Sequence, residues 1–169
     1  MNLIYFIERM ANNAKIIDAI VADVAVEQAR WRPDANSWSM LEVIHHLYDE
    51  ERLDFRTRLD TILHKPGATW PPIDPVGWVQ TRNYNAQDFD TMSEKFQTER
   101  RKSLVWLRGL KAPDWEATYA APFGLIKAGD MFAAWVAHDL LHTRQLIELR
   151  WAFTTQALEP YQVLYAGTW

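Results

Sequence analysis

The chain has 169 residues, 49% hydrophobic and 24% charged, which suits one globular domain with a sizeable core. Its net charge of −4 and the scatter of its 18 Lys and Arg leave no basic stripe to neutralise phosphates, which speaks against nucleic acid as a partner. The absence of cysteine removes disulfides, thiolate ligands and Cys nucleophiles together.

The opening MNLIYFIERMANN lacks a basic region before its apolar residues, and no run approaches the ~18 apolar residues that span a bilayer. The expectation is a soluble, cytoplasmic protein with no membrane partner. Residues 2 to about 29 read as one amphipathic helix, with Leu3, Phe6, Ile7, Met10, Ile17, Ile20, Val21 and Val24 recurring at three and four. The helix ends before Trp31-Arg32-Pro33, since a residue preceding proline is pushed out of the helical region. After a turn, Ser39-Met40-Leu41-Glu42 matches a capping box, so a second helix starts near Met40 and runs to about Leu63.

From Pro66 to about Asn85, four prolines accompany Trp70 and Trp78, and the stretch is expected to form a long aromatic loop without a regular element. Loops of about 15 or more residues often serve as covers or binding loops; here the two tryptophans can equally plug the end of the fold. Asp88 signals the cap of a third helix, carried by Phe89, Met92, Phe96, Leu104 and Leu107 and ending near Gly109. Its charged middle, EKFQTERRKS, reads as a solvated face, which places Arg100, Arg101 and Lys102 in water. Residues 111–129 are too broken by proline and glycine for a helix and read as a crossover, with Trp115–Tyr119 able to pair briefly as a strand. Asp130 then caps a fourth helix to about Phe153. The tail from Thr154 to Trp169, apolar at Leu158, Tyr161, Val163, Leu164, Tyr165 and Trp169, is expected to pack back on the domain. Four long helices with lengthy connections and no convincing sheet give an all-α fold, a four-helix bundle with a pocket between facing helices.

The chemistry concentrates in AWVAHDLLHTRQLIELR, where His138 and His142 stand one helical turn apart on a stripe with Met131, Trp135, Gln145 and Leu149. Burying two imidazoles costs free energy unless their nitrogens are taken up, and a divalent metal ion is the simplest common partner. The absence of Glu inside HDLLH excludes the HExxH metalloprotease pattern. A third ligand must come from elsewhere. On a wheel of the second helix His45 lies with Glu42, Asp49, Arg52 and Arg56 towards water, whereas His46 lies between Val43 and Leu53 at the edge of the buried side. His64, at the helix end, stays open as a candidate. Three neutral histidines with open positions suit Zn²⁺, Ni²⁺ or Fe²⁺ in a catalytic rather than a closed structural site.

Trp38-Ser39, Glu42 and His46-Leu47, followed much later by HDLLHTRQ, resemble the DinB-like superfamily, which includes the YfiT-type proteins and the bacillithiol and mycothiol S-transferases. The resemblance covers nearly the whole chain, including RWRPDANSW and the loop with Trp78. It implies a four-helix bundle, often a homodimer, with one divalent metal on His46, His138 and His142. It also implies a metal-dependent enzyme of the thiol S-transferase type, using a low-molecular-weight thiol against small electrophiles. A metal-dependent hydrolase, or a non-catalytic metal- or ligand-binding protein of the stress response, is the alternative. Glu50, one turn on from His46, is the residue expected to support that histidine or accept a proton, although the run Asp49-Glu50-Glu51 also reads as an ordinary solvated acidic stretch.

Overall fold

The computed structural model describes residues 1–167. Four long helical stretches form the bundle: α1 (Leu3–Val21), the pair α3 (Met40–Asp49) and α4 (Arg56–His64) joined by a π-helical turn over Glu50–Phe55, α6 (Phe89–Gly109), and α7 (Ala128–Ala157). Helices α1 and α3 each pack mainly on α6 and α7, so they lie diagonally across the bundle from one another. The 1-to-2 and 3-to-4 connections therefore both cross the bundle end, which explains their length. Among the described residues no helix is long and apolar enough to cross a membrane.

Local sequence explains the boundaries. Helix α1 stops earlier than its periodicity suggests: Asp23 takes a positive φ of 58°, the chain bends, and a short α2 (Val26–Arg30) follows. At α3 the capping box forms, with Glu42 N–H donating to Ser39 Oγ at 3.2 Å and Ser39 N–H to Glu42 Oε2 at 2.8 Å. Asp88 caps α6 by accepting from Thr91 N–H at 2.9 Å. Asp130 lies inside α7 rather than at its cap, and accepts from Lys127 N–H at 3.3 Å.

Three other expectations are corrected. The proline-rich loop contains a helix, α5 (Pro75–Thr81), because Asp74 accepts from Gly77 N–H at 3.0 Å and Pro75 occupies the first turn, where its missing N–H costs nothing. The crossover holds an antiparallel hairpin, β1 (Thr118–Ala121) with β2 (Gly124–Lys127), pairing Thr118 with Lys127 and Ala121 with Gly124. It seats Trp70, which stacks on Tyr119 with centroids 3.9 Å apart and plugs that end of the bundle. Finally, the tail leaves most of its apolar residues uncovered: Leu158, Tyr161, Leu164 and Tyr165 are exposed, Val163 is half-buried, and Trp169 lies outside the described residues.

Inside the bundle lies a charged group that the sequence places in water. Arg100 is 1% exposed and uses all five guanidinium donors. It donates to Glu51 at 2.8 and 2.9 Å, to Asp139 at 2.6 and 2.7 Å, and to the Met10 carbonyl at 3.2 Å. Trp135 Nε1–H also donates to Glu51 at 3.0 Å, and Asn13 to Asp139 at 3.3 Å. One guanidinium thus ties all four helical stretches together. Its two carboxylates hold its pKa above the ordinary arginine value despite burial. Arg101 and Lys102 are exposed as expected.

Candidate metal centre and substrate groove

Helices α3 and α7 are neighbours, and across their seam His46 meets His138 and His142. His138 Nε2 lies 3.3 Å from His46 Nε2 and 3.0 Å from His142 Nε2. One ligand nitrogen from each ring falls within 4.8 Å of the others, a set that can hold a metal ion. His142 Nδ1 is 2.8 Å from Gln145 Oε1; an amide oxygen only accepts, so Nδ1 carries the proton and the neutral ring turns its Nε2 lone pair to the cluster. The donor set fits a divalent cation: three imidazole nitrogens point at one another with too few protons to satisfy every lone pair.

Burial keeps the rings neutral, as ligation requires. It lowers His46 to about 3 and His138 to about 2, with neighbouring histidines adding to the effect. The His142 pKa is also lowered by burial, against the Gln145 hydrogen bond. Aromatic rings enclose the cluster: Trp38 lies 5.0 Å from His46, and Phe55 4.9 Å from His138 and 5.9 Å from Trp135.

The π-helical turn gives Phe55 this place. Within its six residues Glu50, Glu51, Asp54 and Phe55 are all buried. Glu50 is accordingly 4% exposed rather than solvated, with one carboxylate oxygen lacking a partner. Burial first, and then the neighbouring Asp54, raise its pKa to about 8.

His45 and His64 stay out of the cluster. His64 is exposed beside Asp60 at 2.8 Å. His45, expected in water, is buried at 8% exposure and stacks on Tyr84 with centroids 3.8 Å apart. The wheel misled because Asp49 is itself buried: it accepts from Arg52 at 2.8 Å, from Tyr84 Oη at 2.7 Å and from Arg82. Loop residues thus cover a face that sequence reads as polar.

A groove of about 540 Å³ opens beside the cluster, lined by His142, Gln145 and Glu148 of α7 and by Asn36, Ser37 and Trp38 of the turn before α3. The long aromatic loop is not part of it. Arg32 sets that turn by donating to buried Glu42, at 2.9 Å from its Nε, so the WSxxE segment builds both the start of α3 and a groove wall.

A mostly helical bundle with three imidazoles converging from two adjacent helices beside an open groove defines a class of candidate metal-binding proteins. The chain belongs to the DinB superfamily, whose family model matches residues 11–146. Among solved structures it is similar to YfiT from Bacillus subtilis, described as a probable metal-dependent hydrolase with an unusual four-helix bundle topology. The match has a TM-score of 0.79 and 17% identity over 90% of this chain and 87% of that one, and it shows a shared fold. No curated protein matches the sequence.

Proposed function

We propose that the protein is a metal-dependent enzyme of the thiol S-transferase type, with one divalent ion, Zn²⁺, Ni²⁺ or Fe²⁺, on His46, His138 and His142. A low-molecular-weight thiol and a small electrophile would meet in the adjoining groove. The observation that carries this reading is the convergence of three Nε2 atoms at the groove that His142 lines. A divalent ion with open positions supplies Lewis acidity, lowering the pKa of a thiol or water that it binds.

The chain supplies the remaining parts. Gln145 orients His142, and Trp38 and Phe55 limit water around the imidazoles. Glu50 is the residue we assign to supporting His46, one helical turn away, or to handling a proton; its buried carboxyl, with a pKa of about 8, holds a proton at neutral pH. Consumption of monochlorobimane with cysteine by zinc- or nickel-loaded protein tests the transferase reading.

A second reading, a metal-dependent hydrolase, is supported by the shared fold with YfiT. Hydrolysis of p-nitrophenyl acetate without thiol would favour it. Metal retention without either turnover would overturn both and leave a metal- or ligand-binding protein. We also propose a homodimer, supported by Ile16 and Ile147 on the α1–α7 side and by Tyr161 and Leu164 beyond α7, all left in water by the monomer. Light scattering that gave only a monomer mass at micromolar concentrations would overturn that part.

A further inference from the structure

Among the described residues lining the groove, Glu148 is the single charged carboxylate, and no lysine or arginine joins it. Pro33, Trp38 and Leu149 supply apolar surface, while Asn36, Ser37 and Gln145 supply neutral polar groups. His142, Gln145 and Leu149 recur at helical spacing, so the groove floor is a strip of α7 leading away from the imidazoles. From His142 to Glu148 is six residues, about 9 Å along the helix axis.

We propose that the groove binds a small substrate bearing a protonated amine, with its reacting group at the imidazole cluster and its ammonium at Glu148, which selects cationic over neutral and anionic substrates. The inference rests on the metal reading above and adds a substrate class to it.

Three features support the assignment. Glu148 is contacted by Arg144 at 3.2 Å, but Arg144 is 71% exposed, and a pair so placed on a helix surface is screened and weak. A carboxylate offers about four lone-pair sites, so Glu148 can keep this contact and still accept from an ammonium. The opposite wall adds no positive charge: Arg32 is paired with Glu42, and the Asp34 carboxylate lies on that turn, accepting from Ser37 Oγ at 2.6 Å. An anionic tail would therefore lose water and meet the Glu148 carboxylate, with only the exposed, screened Arg144 as counter-charge. An amine on an aliphatic chain finds apolar surface for its stem at Pro33, Trp38 and Leu149, and Glu148 at its end.

Hydroxamates test this without an assay of turnover, because they chelate an open metal and carry a tail of chosen charge. Zinc-loaded protein is titrated by calorimetry with acetohydroxamate, which is too short to reach Glu148, and with hexanohydroxamate, aminohexanohydroxamate and adipic monohydroxamate. The amine tail is expected to bind about fivefold more tightly than the neutral one, the scale of a half-exposed charge pair, and the carboxylate tail more weakly than the neutral one. In Glu148→Gln the three affinities should converge. Equal binding of all three tails to the wild type, with acetohydroxamate still bound, overturns the proposal and leaves the metal reading standing. The same order persisting in Glu148→Gln removes the role assigned to Glu148. Failure of acetohydroxamate to bind zinc-loaded protein overturns the open metal site, and the substrate assignment with it.

Discussion

Arg100 donates to both carboxylate oxygens of Asp139, at 2.6 and 2.7 Å, and Asp139 is the residue that follows His138 in α7. The same guanidinium holds Glu51, inside the turn that sends Phe55 against His138. The histidine helix and the π-helical turn are therefore fixed relative to each other by a fully hydrogen-bonded buried charge cluster. Removing the cation alone leaves two buried carboxylates without a counter-charge. Arg100→Ala is expected to cost about 3–5 kcal/mol in urea unfolding, whereas replacing Arg100, Glu51 and Asp139 together with Met and Leu should cost much less. A single substitution costing under ~1 kcal/mol would show that water reaches the cluster.

The adjacent histidines separate metal binding from stability. His46→Ala removes one of three imidazoles and should empty the site, as should His138→Ala or His142→Ala; elemental analysis of zinc-reconstituted, desalted protein reads this directly. His45→Ala should keep the metal, yet lower stability by about 1–3 kcal/mol, because the ring is buried against Tyr84. A variant that kept full metal without His46 would shift the site to other donors.

How legible these features were follows from how local their causes are. Ser39 with Glu42, and Asp88 with the apolar spacing to Leu107, act within one helix turn or one face, and both helix starts could be read directly. Asp74-Pro75 was also a local signal, a capping residue before a first-turn proline, but it was obscured by the prolines around it. Arg100 could not be placed from sequence, since Glu51 and Asp139 stand 49 and 39 residues away. Its pattern among Arg101 and Lys102 is that of a solvated face. Glu51 and Asp54, four and seven residues after buried Leu47, keep its face on a uniform wheel, but the run Asp49-Glu50-Glu51 has the composition of a solvated stretch, and that composition hides the buried acids. The groove wall at Asn36–Trp38 was missed for another reason: its position depends on the Arg32–Glu42 pair and on α7 passing alongside.

Gln145 offers a test of how the imidazoles are oriented. Its amide oxygen accepts a hydrogen bond from His142 Nδ1–H at 2.8 Å, which directs Nε2 to the cluster. Gln145→Ala should lower zinc affinity by about 10- to 100-fold, the usual effect of losing a partner that orients a ligand, and Gln145→Glu, which keeps an acceptor, should restore it. Competition against a chromophoric chelator measures both. Unchanged affinity in the alanine variant would mean that packing alone holds the ring.

The last prediction concerns Glu50, whose pKa stands at about 8 because burial and Asp54 disfavour its charge. An unfolded glutamate ionises near 4.3, so between that pH and about 8 the native state holds a proton that the unfolded state has released. Unfolding free energy must then fall as pH rises across this window, and the stabilising contribution present in acid is lost above pH 8. Buried His46 and His138 act in the opposite sense below pH 6.5, since they stay neutral while the unfolded rings become charged, so the wild-type profile mixes both effects. The difference between Glu50→Gln and wild type removes the histidine contribution and reports the Glu50 carboxyl together with its neighbour Asp54. In metal-free protein that difference should be small near pH 4.5, where both side chains are neutral, and should reach a few kcal/mol in favour of the variant at pH 8.5. Urea unfolding across this range measures it. A difference that stayed flat with pH would mean that Glu50 ionises normally, and the proton-holding role assigned to it would fall.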